Sequence, residues 1–112
     1  MENYKLVLPE HLNQYGFLFG GHLLMWVDEI AWIAATLDYP DCRFVTVGMD
    51  RVEFKRSVRE GTILRFTVEN PRPGKTSLTW EVRVWREDEE IFSTHVTLVC
   101  IDESGEKTAL PN

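Results

Sequence analysis

The segment from His22 to Leu37 is the one stretch of this 112-residue chain that can form a helix of about four turns. It contains neither glycine nor proline, and Tyr39-Pro40 follows it, where a helix is expected to end. Its apolar residues would cover one side with Leu23, Trp26, Ile30 and Ile33, and the other with Leu24, Met25, Ala31, Trp32 and Ala35. Such a helix needs the rest of the chain to enclose it.

Most of the other residues show the pattern of β-strands. A short run from Tyr4 to Leu8 stops at Pro9, and the stretch from Phe44 to about Phe54 is rich in β-branched and aromatic residues. Further on, apolar and polar residues alternate, which is typical of half-buried strands. The residues that would face the core there are Leu64, Phe66, Val68, Leu78, Trp80, Val82, Val84, Phe92, Val96, Leu98 and Cys100.

Short polar segments connect these strands. The segments Pro71-Arg72-Pro73-Gly74 and Glu87-Asp88-Glu89-Glu90 are typical of turns. Strands joined by short turns pair antiparallel, because a parallel pair needs a crossover of about a dozen residues. We therefore predict one α+β domain over residues 1–112, in which a curved antiparallel sheet wraps around a single long helix. The free edges and apolar surface of so small a sheet predict a homodimer.

Charge and composition exclude several kinds of function. The formal net charge of −6 argues against a nucleic-acid binder, which needs clustered Lys and Arg. Cys42 and Cys100, without a CxxC motif, argue against a metal site or a disulfide framework, so reduced, buried thiols are expected. Asp28 breaks the longest apolar stretch well short of a membrane span, and no signal-like leader opens the chain. We expect a cytoplasmic protein that does not enter a membrane.

Asp28 interrupts the apolar segment, and glycines precede that segment. In a helix Asp28 would share a face with apolar or small residues, where an ionised carboxylate is costly and often functional. Alternatively, Asp28 and Glu29 form one solvated edge. Gly20 and Gly21 stand just before the predicted helix, where bare backbone N–H groups could hold a developing oxyanion. Asn13 could position a water molecule or simply shape a turn.

Together these residues resemble the signature of a known family. The motif consists of Asn13-x-x-Gly16-x-x-Phe19-Gly20-Gly21 followed by Leu24-x-Trp26-x-Asp28-x-x-Ala31. It resembles that of hotdog-fold acyl-CoA thioesterases of the single-domain, YciA-like or cytosolic acyl-CoA hydrolase type. Supporting similarity comes from residues 45–46, 52–56, 74–77 and 102–111. The resemblance thus covers the chain from about residue 9 onward.

The resemblance implies a hotdog fold that hydrolyses an acyl-CoA thioester. Asp28 would be the essential carboxylate, acting as general base on water or as nucleophile through an anhydride. Asn13 would orient the water or the thioester across a dimer interface, and backbone N–H groups of Gly20 or Gly21 would polarise the carbonyl. The resemblance calls for no metal and for no cofactor beyond the CoA of the substrate. It also implies homodimers that assemble further into tetramers or hexamers.

An acidic protein must meet the phosphates of CoA with local cations. The available side chains are Lys55, Arg56, Arg59, Arg72 and Lys75. We favour Arg56 and the turn Gly74-Lys75-Thr76-Ser77 as the CoA-binding residues. The alternative is that these are ordinary solvated side chains.

Some features leave other functions open. Trp32 stands where the family usually has a smaller side chain, which favours short, branched or aryl acyl groups if it lines an acyl channel rather than the core. A non-catalytic hotdog module that binds acyl-CoA is the main alternative function, although the presence of both Asn13 and Asp28 speaks against it. A hotdog enoyl-CoA hydratase or dehydratase is another alternative, although the HFP loop motif of such dehydratases is absent.

Overall fold

The computed structural model describes residues 1–111, which form one long helix and five strands. The elements are β1 (Glu2–Leu6), a 3-10 turn (Pro9–His11), α1 (Gly20–Asp38), β2 (Arg43–Phe54), β3 (Ile63–Pro73), β4 (Ser77–Arg86) and β5 (Glu89–Ile101). This is the predicted α+β arrangement of a single helix with a sheet.

All five strands form one antiparallel sheet in the order β1-β3-β4-β5-β2. The strands β3, β4 and β5 are neighbours in sequence and in space, because short turns join them. The strands before and after α1, which are β1 and β2, lie at opposite edges of the sheet. The chain therefore crosses the sheet through α1, and this crossing places the helix over one sheet face.

The hydrophobic core lies between α1 and the inner face of the sheet. Every strand residue that the alternation assigned to the core is at most 5% exposed, so that prediction is confirmed. The helix contributes Leu23, Trp26, Val27, Ile30, Ala31, Ala34 and Ala35. Fully burying a large apolar side chain contributes about 2 kcal/mol to the free energy of unfolding, so this interface dominates the stability of the domain.

The prediction that α1 is largely enclosed does not hold for a single chain. Met25 is 54% exposed and Trp32 is 42% exposed, although both are large and apolar. One five-stranded sheet covers only one side of the helix. The opposite side is an apolar surface that the protomer itself does not cover.

The free edge of β2 continues this uncovered surface. Hydrogen bonding to β5 occupies one side of β2, and within residues 1–111 no strand pairs with its other side. Apolar residues along β2 are exposed by 39–57%, namely Val45, Val47, Val52 and Phe54. A long, exposed, apolar strand edge is a template for pairing with another chain.

Some element boundaries differ from the prediction. The first strand covers Glu2–Leu6 rather than residues 4–8, and α1 begins at Gly20 rather than His22. The predicted turn at 71–74 is shorter, because β3 continues to Pro73. Proline lacks the N–H that a central strand needs, but β1 pairs only with Ile63–Thr67, so one side of β3 is open at its two prolines.

The second predicted turn is also shorter. Only Glu87 and Asp88 form it, with Glu87 in the left-handed region at φ 54°, and β5 already begins at Glu89.

Cys42 and Cys100 are free, buried thiols, as expected. In the part of the chain that the structure describes, the helices are too short or too polar to cross a membrane.

Candidate active site

Asp28 lies half-buried in the middle of α1. Its carboxylate accepts a hydrogen bond from the Thr46 hydroxyl, with 2.5 Å between Thr46 Oγ1 and Asp28 Oδ1. Within residues 1–111, no Lys, Arg or His side chain lies within ion-pair distance of Asp28. Glu29, by contrast, is exposed and lies 3.9 Å from the Lys5 amine. The two acids therefore do not share one solvated edge.

Strand β2 holds the partner of Asp28. Phe44 is buried against the helix, and Thr46 lies two residues further on, on the same face of the strand. The Phe44 carbonyl accepts a hydrogen bond from Trp32 Nε1 at 3.1 Å. Thus Asp28 and Trp32, one helical turn apart on α1, bind residues that are two apart on β2. Sequence reasoning assigned Thr46 no catalytic role, although residues 45–46 belong to the segments that resemble the thioesterase family.

Asn13 organises the loop before α1. Its Oδ1 accepts hydrogen bonds from the backbone N–H groups of Tyr15 at 2.9 Å and Phe17 at 3.1 Å. Gly16, with φ 86°, donates its N–H to the Asn13 carbonyl at 3.1 Å and closes the turn. For the Asn13 Nδ2 group the described residues provide no acceptor. Asn13 therefore shapes a turn and still has amide hydrogens to donate.

Gly20 and Gly21 are the first two residues of α1. No side chain caps this helix end, and the Phe19 carbonyl accepts only from His22 and Leu23. The N–H groups of the first helical residues lack partners within the helix and carry partial positive charge. A Cβ at Gly20 would lie 3.3 Å from the Phe54 ring, so the close approach of β2 favours glycine there. The pair forms an uncapped helix end, a type of site that can hold an anion.

A groove of about 430 Å³ lies between this helix end, the Asn13 loop and the end of β2. Asn13, Gly20 and Arg56 line it, so the structure brings three of the predicted residues together. Asp28 does not line it. Asp28 follows Gly20 by eight positions along α1, a rise of about 12 Å, which is too long for both to act on one carbonyl within a single protomer.

Cations at the rim of the groove are paired with acids. Arg56 Nε lies 3.2 Å from Glu89 Oε2, and Lys55 forms an ion pair with Glu90. A hydrogen bond from Arg86, together with its charge, lowers the pKa of Glu89, so this acid is ionised at neutral pH. The pairs hold the cations at the rim, and a phosphate would compete with carboxylates for them.

Arg59 differs from these cations. Its guanidinium lies 4.7 Å from the centroid of the Phe17 ring, and Phe17 lines the groove. No acidic side chain in residues 1–111 forms an ion pair with Arg59. It is therefore a cation near the groove whose charge is not neutralised by a carboxylate.

The turn Gly74-Lys75-Thr76-Ser77 lies far from this groove in the same protomer. Ser77 begins β4, and Arg86 ends it nine strand steps or about 30 Å away. Arg86 lies at the groove, since it donates to the carbonyl of Ser57, which lines it. The Gly74 N–H donates to the Ser77 carbonyl at 2.8 Å. One protomer thus does not bring this turn and Arg56 together.

The chain has relatives with a named activity. Residues 15–93 match the model of the thioesterase superfamily. An uncharacterized acyl-CoA thioester hydrolase of Zymomonas mobilis is 30% identical over 95% of this chain and 74% of its own length. Among the other curated relatives, the chain spans 85% of an uncharacterized acyl-CoA thioester hydrolase of Buchnera aphidicola but only 17% of an acetyl-coenzyme A thioesterase of Mus musculus.

Solved structures show the same fold. A hexameric thioesterase of Yersinia pestis superposes with a TM-score of 0.90 at 26% identity, over 98% of this chain and 93% of the other. A hexameric hotdog fold thioesterase of Campylobacter jejuni superposes with a TM-score of 0.84 at 30% identity, over 97% and 88%. The sheet and helix described above therefore form a hotdog fold. The chain belongs to the thioesterase superfamily.

Proposed function

We propose that this protein hydrolyses acyl-CoA thioesters to the free acid and CoA, with Asp28 as the catalytic carboxylate. The observation that carries the proposal is a half-buried acid with a single hydroxyl partner, Thr46, and with no cation beside it in the described residues. An acid in such a place without a structural ion pair is available for chemistry. The name of the Zymomonas mobilis relative supports the reaction.

Two chemical routes fit Asp28. As a general base it removes a proton from water while the water oxygen attacks the thioester carbonyl carbon. As a nucleophile its carboxylate attacks that carbon, and water then opens the anhydride. In both routes the backbone N–H groups of Gly20 or Gly21 stabilise the oxyanion, the C–S bond breaks, and the CoA sulfur leaves and is protonated. The amide hydrogens of Asn13 orient the water or the carbonyl.

We further propose that each active site forms between two protomers. The distance of about 12 Å along α1 separates Asp28 from Gly20 in one chain, so the oxyanion-binding end must come from a second copy. The uncovered face of α1 and the unpaired edge of β2 provide the surface for that copy. In an isologous pair the contact occurs twice, which gives two sites per dimer.

A dimer of this kind also accounts for two distant sets of CoA-binding residues. The start of β2 is level with Ser77, because Val45 pairs with Val99 and Val99 pairs with Ser77. The end of β2 leads to Arg56. If two β2 strands pair antiparallel, the 74–77 turn of one protomer lies towards the Arg56 end of the other. We propose that both contribute to CoA binding.

We also propose that the dimers assemble further and that the protein is cytoplasmic. The structural relatives from Yersinia pestis and Campylobacter jejuni are hexameric, which supports assembly of dimers into a tetramer or a hexamer here. Two free, buried thiols fit a cytoplasmic location, because reducing conditions keep cysteines unpaired. We propose no metal and no cofactor beyond the CoA of the substrate.

A panel of acyl-CoA substrates with a thiol reagent tests the reaction. We expect the wild-type protein to release free CoA thiol from acyl-CoA. We expect Asp28→Ala to bind CoA still but to release no thiol from acyl-CoA. Tight binding of CoA by the wild type without turnover of any substrate would instead indicate a binding module. Loss of enoyl absorbance from an enoyl-CoA with the thioester intact would indicate a hydratase.

A mixing experiment tests the shared site. Asp28→Asn and Asn13→Asp proteins are each expected to be nearly inactive. When the two proteins are co-expressed and pair at random, about half of the dimers are mixed. In each mixed dimer one of the two sites has both native residues, so about a quarter of the wild-type activity returns. No recovery in mixed dimers that are verified by affinity tags would contradict the assignment of Asn13 and Asp28 to different protomers.

A further inference from the structure

We propose that Trp32 is the residue that limits the length of the acyl group, so that the preferred substrates carry short acyl chains. This inference rests on the proposed function, because it takes the reacting carbonyl to lie beside Asp28. Trp32 follows Asp28 by four residues, which places both side chains on one face of α1 with a rise of about 6 Å between them.

The indole ring of Trp32 is anchored. Its Nε1–H donates to the Phe44 carbonyl on β2 at 3.1 Å, and the ring remains 42% exposed in the protomer. Because this bond uses the only polar atom of the side chain, the exposed part of the ring presents hydrocarbon alone. Such a surface suits an alkyl chain. It offers nothing to the amide groups of the pantetheine arm of CoA.

Of the other large apolar residues on this face, Leu24 is half-buried and Met25 is the exposed one, and Met25 cannot set a limit in the same way. Met25 precedes Asp28 by three residues and is 54% exposed. Methionine has three rotatable bonds and adapts to what binds beside it. A length limit needs a wall that does not yield, and on this face only Trp32 has both the bulk and a hydrogen bond that fixes its orientation.

The spacing sets the expected limit. An extended alkyl chain built from C–C bonds of about 1.5 Å advances about 1.3 Å per carbon. A rise of about 6 Å between Asp28 and Trp32 therefore accommodates about four to five carbons beyond the carbonyl. We expect efficient hydrolysis up to about hexanoyl-CoA and a steep fall for octanoyl-CoA and decanoyl-CoA.

The test measures kcat/KM for a series from acetyl-CoA to decanoyl-CoA in the wild type, Trp32→Ala and the matched control Met25→Ala. The readout is the decanoyl to butyryl ratio within each protein, which cancels any loss of active enzyme. We expect the ratio to rise at least about tenfold in Trp32→Ala and to change less than about threefold in Met25→Ala. If Trp32→Ala does not assemble like the wild type, Trp32→Leu is judged by the same ratio.

The outcomes separate the two proposals. Hydrolysis by the wild type with an unchanged ratio in the folded Trp32 variant overturns the role of Trp32 and leaves the thioesterase function intact. An equal rise in Met25→Ala also overturns the assignment to Trp32. Absence of thiol release by the wild type from every acyl-CoA overturns the proposed function and, with it, this inference.

Discussion

Thr46 on β2 donates its hydroxyl hydrogen to Asp28 on α1 across 2.5 Å, and this bond joins the edge strand to the uncovered face of the helix. A hydrogen bond to a charged group contributes about 1.5–3 kcal/mol. Because the bond fixes one carboxylate oxygen, the second oxygen, Asp28 Oδ2, is the one available to a substrate or a water molecule. We therefore expect Thr46 to position the Asp28 carboxylate.

Replacement of Thr46 tests this role. Thr46→Val keeps the shape of the side chain and removes the hydroxyl, so we expect kcat to fall about 10- to 100-fold, as the loss of a charge-assisted hydrogen bond would predict. Thr46→Ser retains the hydroxyl and should stay within about threefold of the wild type. Equal activity of the valine and serine variants would show that the bond does not matter for catalysis.

Asp28→Asn should separate chemistry from folding. The two side chains are nearly the same size, and Asn Oδ1 can still accept the hydrogen bond from Thr46. We expect an unchanged midpoint of thermal unfolding and a fall in kcat of about 10²- to 10⁴-fold, because the amide cannot take a proton or attack the carbonyl. A variant that fails to fold would instead identify Asp28 as a structural acid.

Two substitutions at Asn13 distinguish its two roles. Asn13→Ala removes both the acceptor that holds the loop and the donor that would act on the substrate. Asn13→Asp keeps the acceptor for the N–H groups of Tyr15 and Phe17 but loses the donor. If the donor acts in catalysis, both variants lower the rate constant by a factor on the order of tens to thousands.

A different pattern of rates would indicate that Asn13 has only a structural role. Near-native rates in Asn13→Asp, together with a slow Asn13→Ala, would assign Asn13 to shaping the loop alone. Proteolysis at the loop reports on its order independently, and we expect only the alanine variant to be cleaved faster than the wild type, because it loses two backbone hydrogen bonds.

The parts of the fold that could be predicted from sequence depend on local periodicity. The alternation that put Leu64, Phe66 and Val68 on one side of a strand holds in the structure, because a strand with one buried face needs apolar residues at every second position. The extension of β3 through Pro71 and Pro73 could not be predicted, because proline tolerance depends on whether a neighbouring strand is present.

In the candidate site, too, some features follow from local sequence spacing and others depend on how distant elements pack. The face that Asp28 shares with Trp32 follows from helical spacing alone. The bond from Thr46 joins residues 18 positions apart and depends on how α1 packs on β2, so no local pattern contains it. The separation of Asp28 from Gly20 along α1 could be calculated from the sequence, and this length is the basis of the proposed site between two protomers.

Arg56 and Glu89 provide a test of CoA binding at the groove. Both side chains are exposed, and an exposed ion pair contributes little to stability, so either can be changed without loss of the fold. We expect Arg56→Gln to raise KM for acyl-CoA about three- to tenfold and Glu89→Gln to lower it slightly, since the cation is then free for a phosphate. Both effects should shrink at high salt.

Arg65 is the matched control for this experiment. It lies on β3 with its guanidinium over the Trp85 ring, outside the groove. Arg65→Gln changes the net charge of the protein by the same amount as Arg56→Gln. An equal rise in KM for both variants would attribute the effect to overall charge rather than to contact with CoA.

Cys42 makes the stability of the protein sensitive to alkaline pH. Burial, with a smaller contribution from neighbouring Cys100, raises the pKa of the Cys42 thiol from 9.0 to about 12. The folded state therefore retains this proton where the unfolded state loses it, so the contribution to stability is complete below pH 9 and is lost as pH rises towards 12. We expect the free energy of unfolding from urea titrations to fall over this range, and to fall less in Cys42→Ala. The native protein should also react negligibly with a thiol reagent at pH 8, whereas rapid labelling of Cys42 at that pH would contradict the raised pKa.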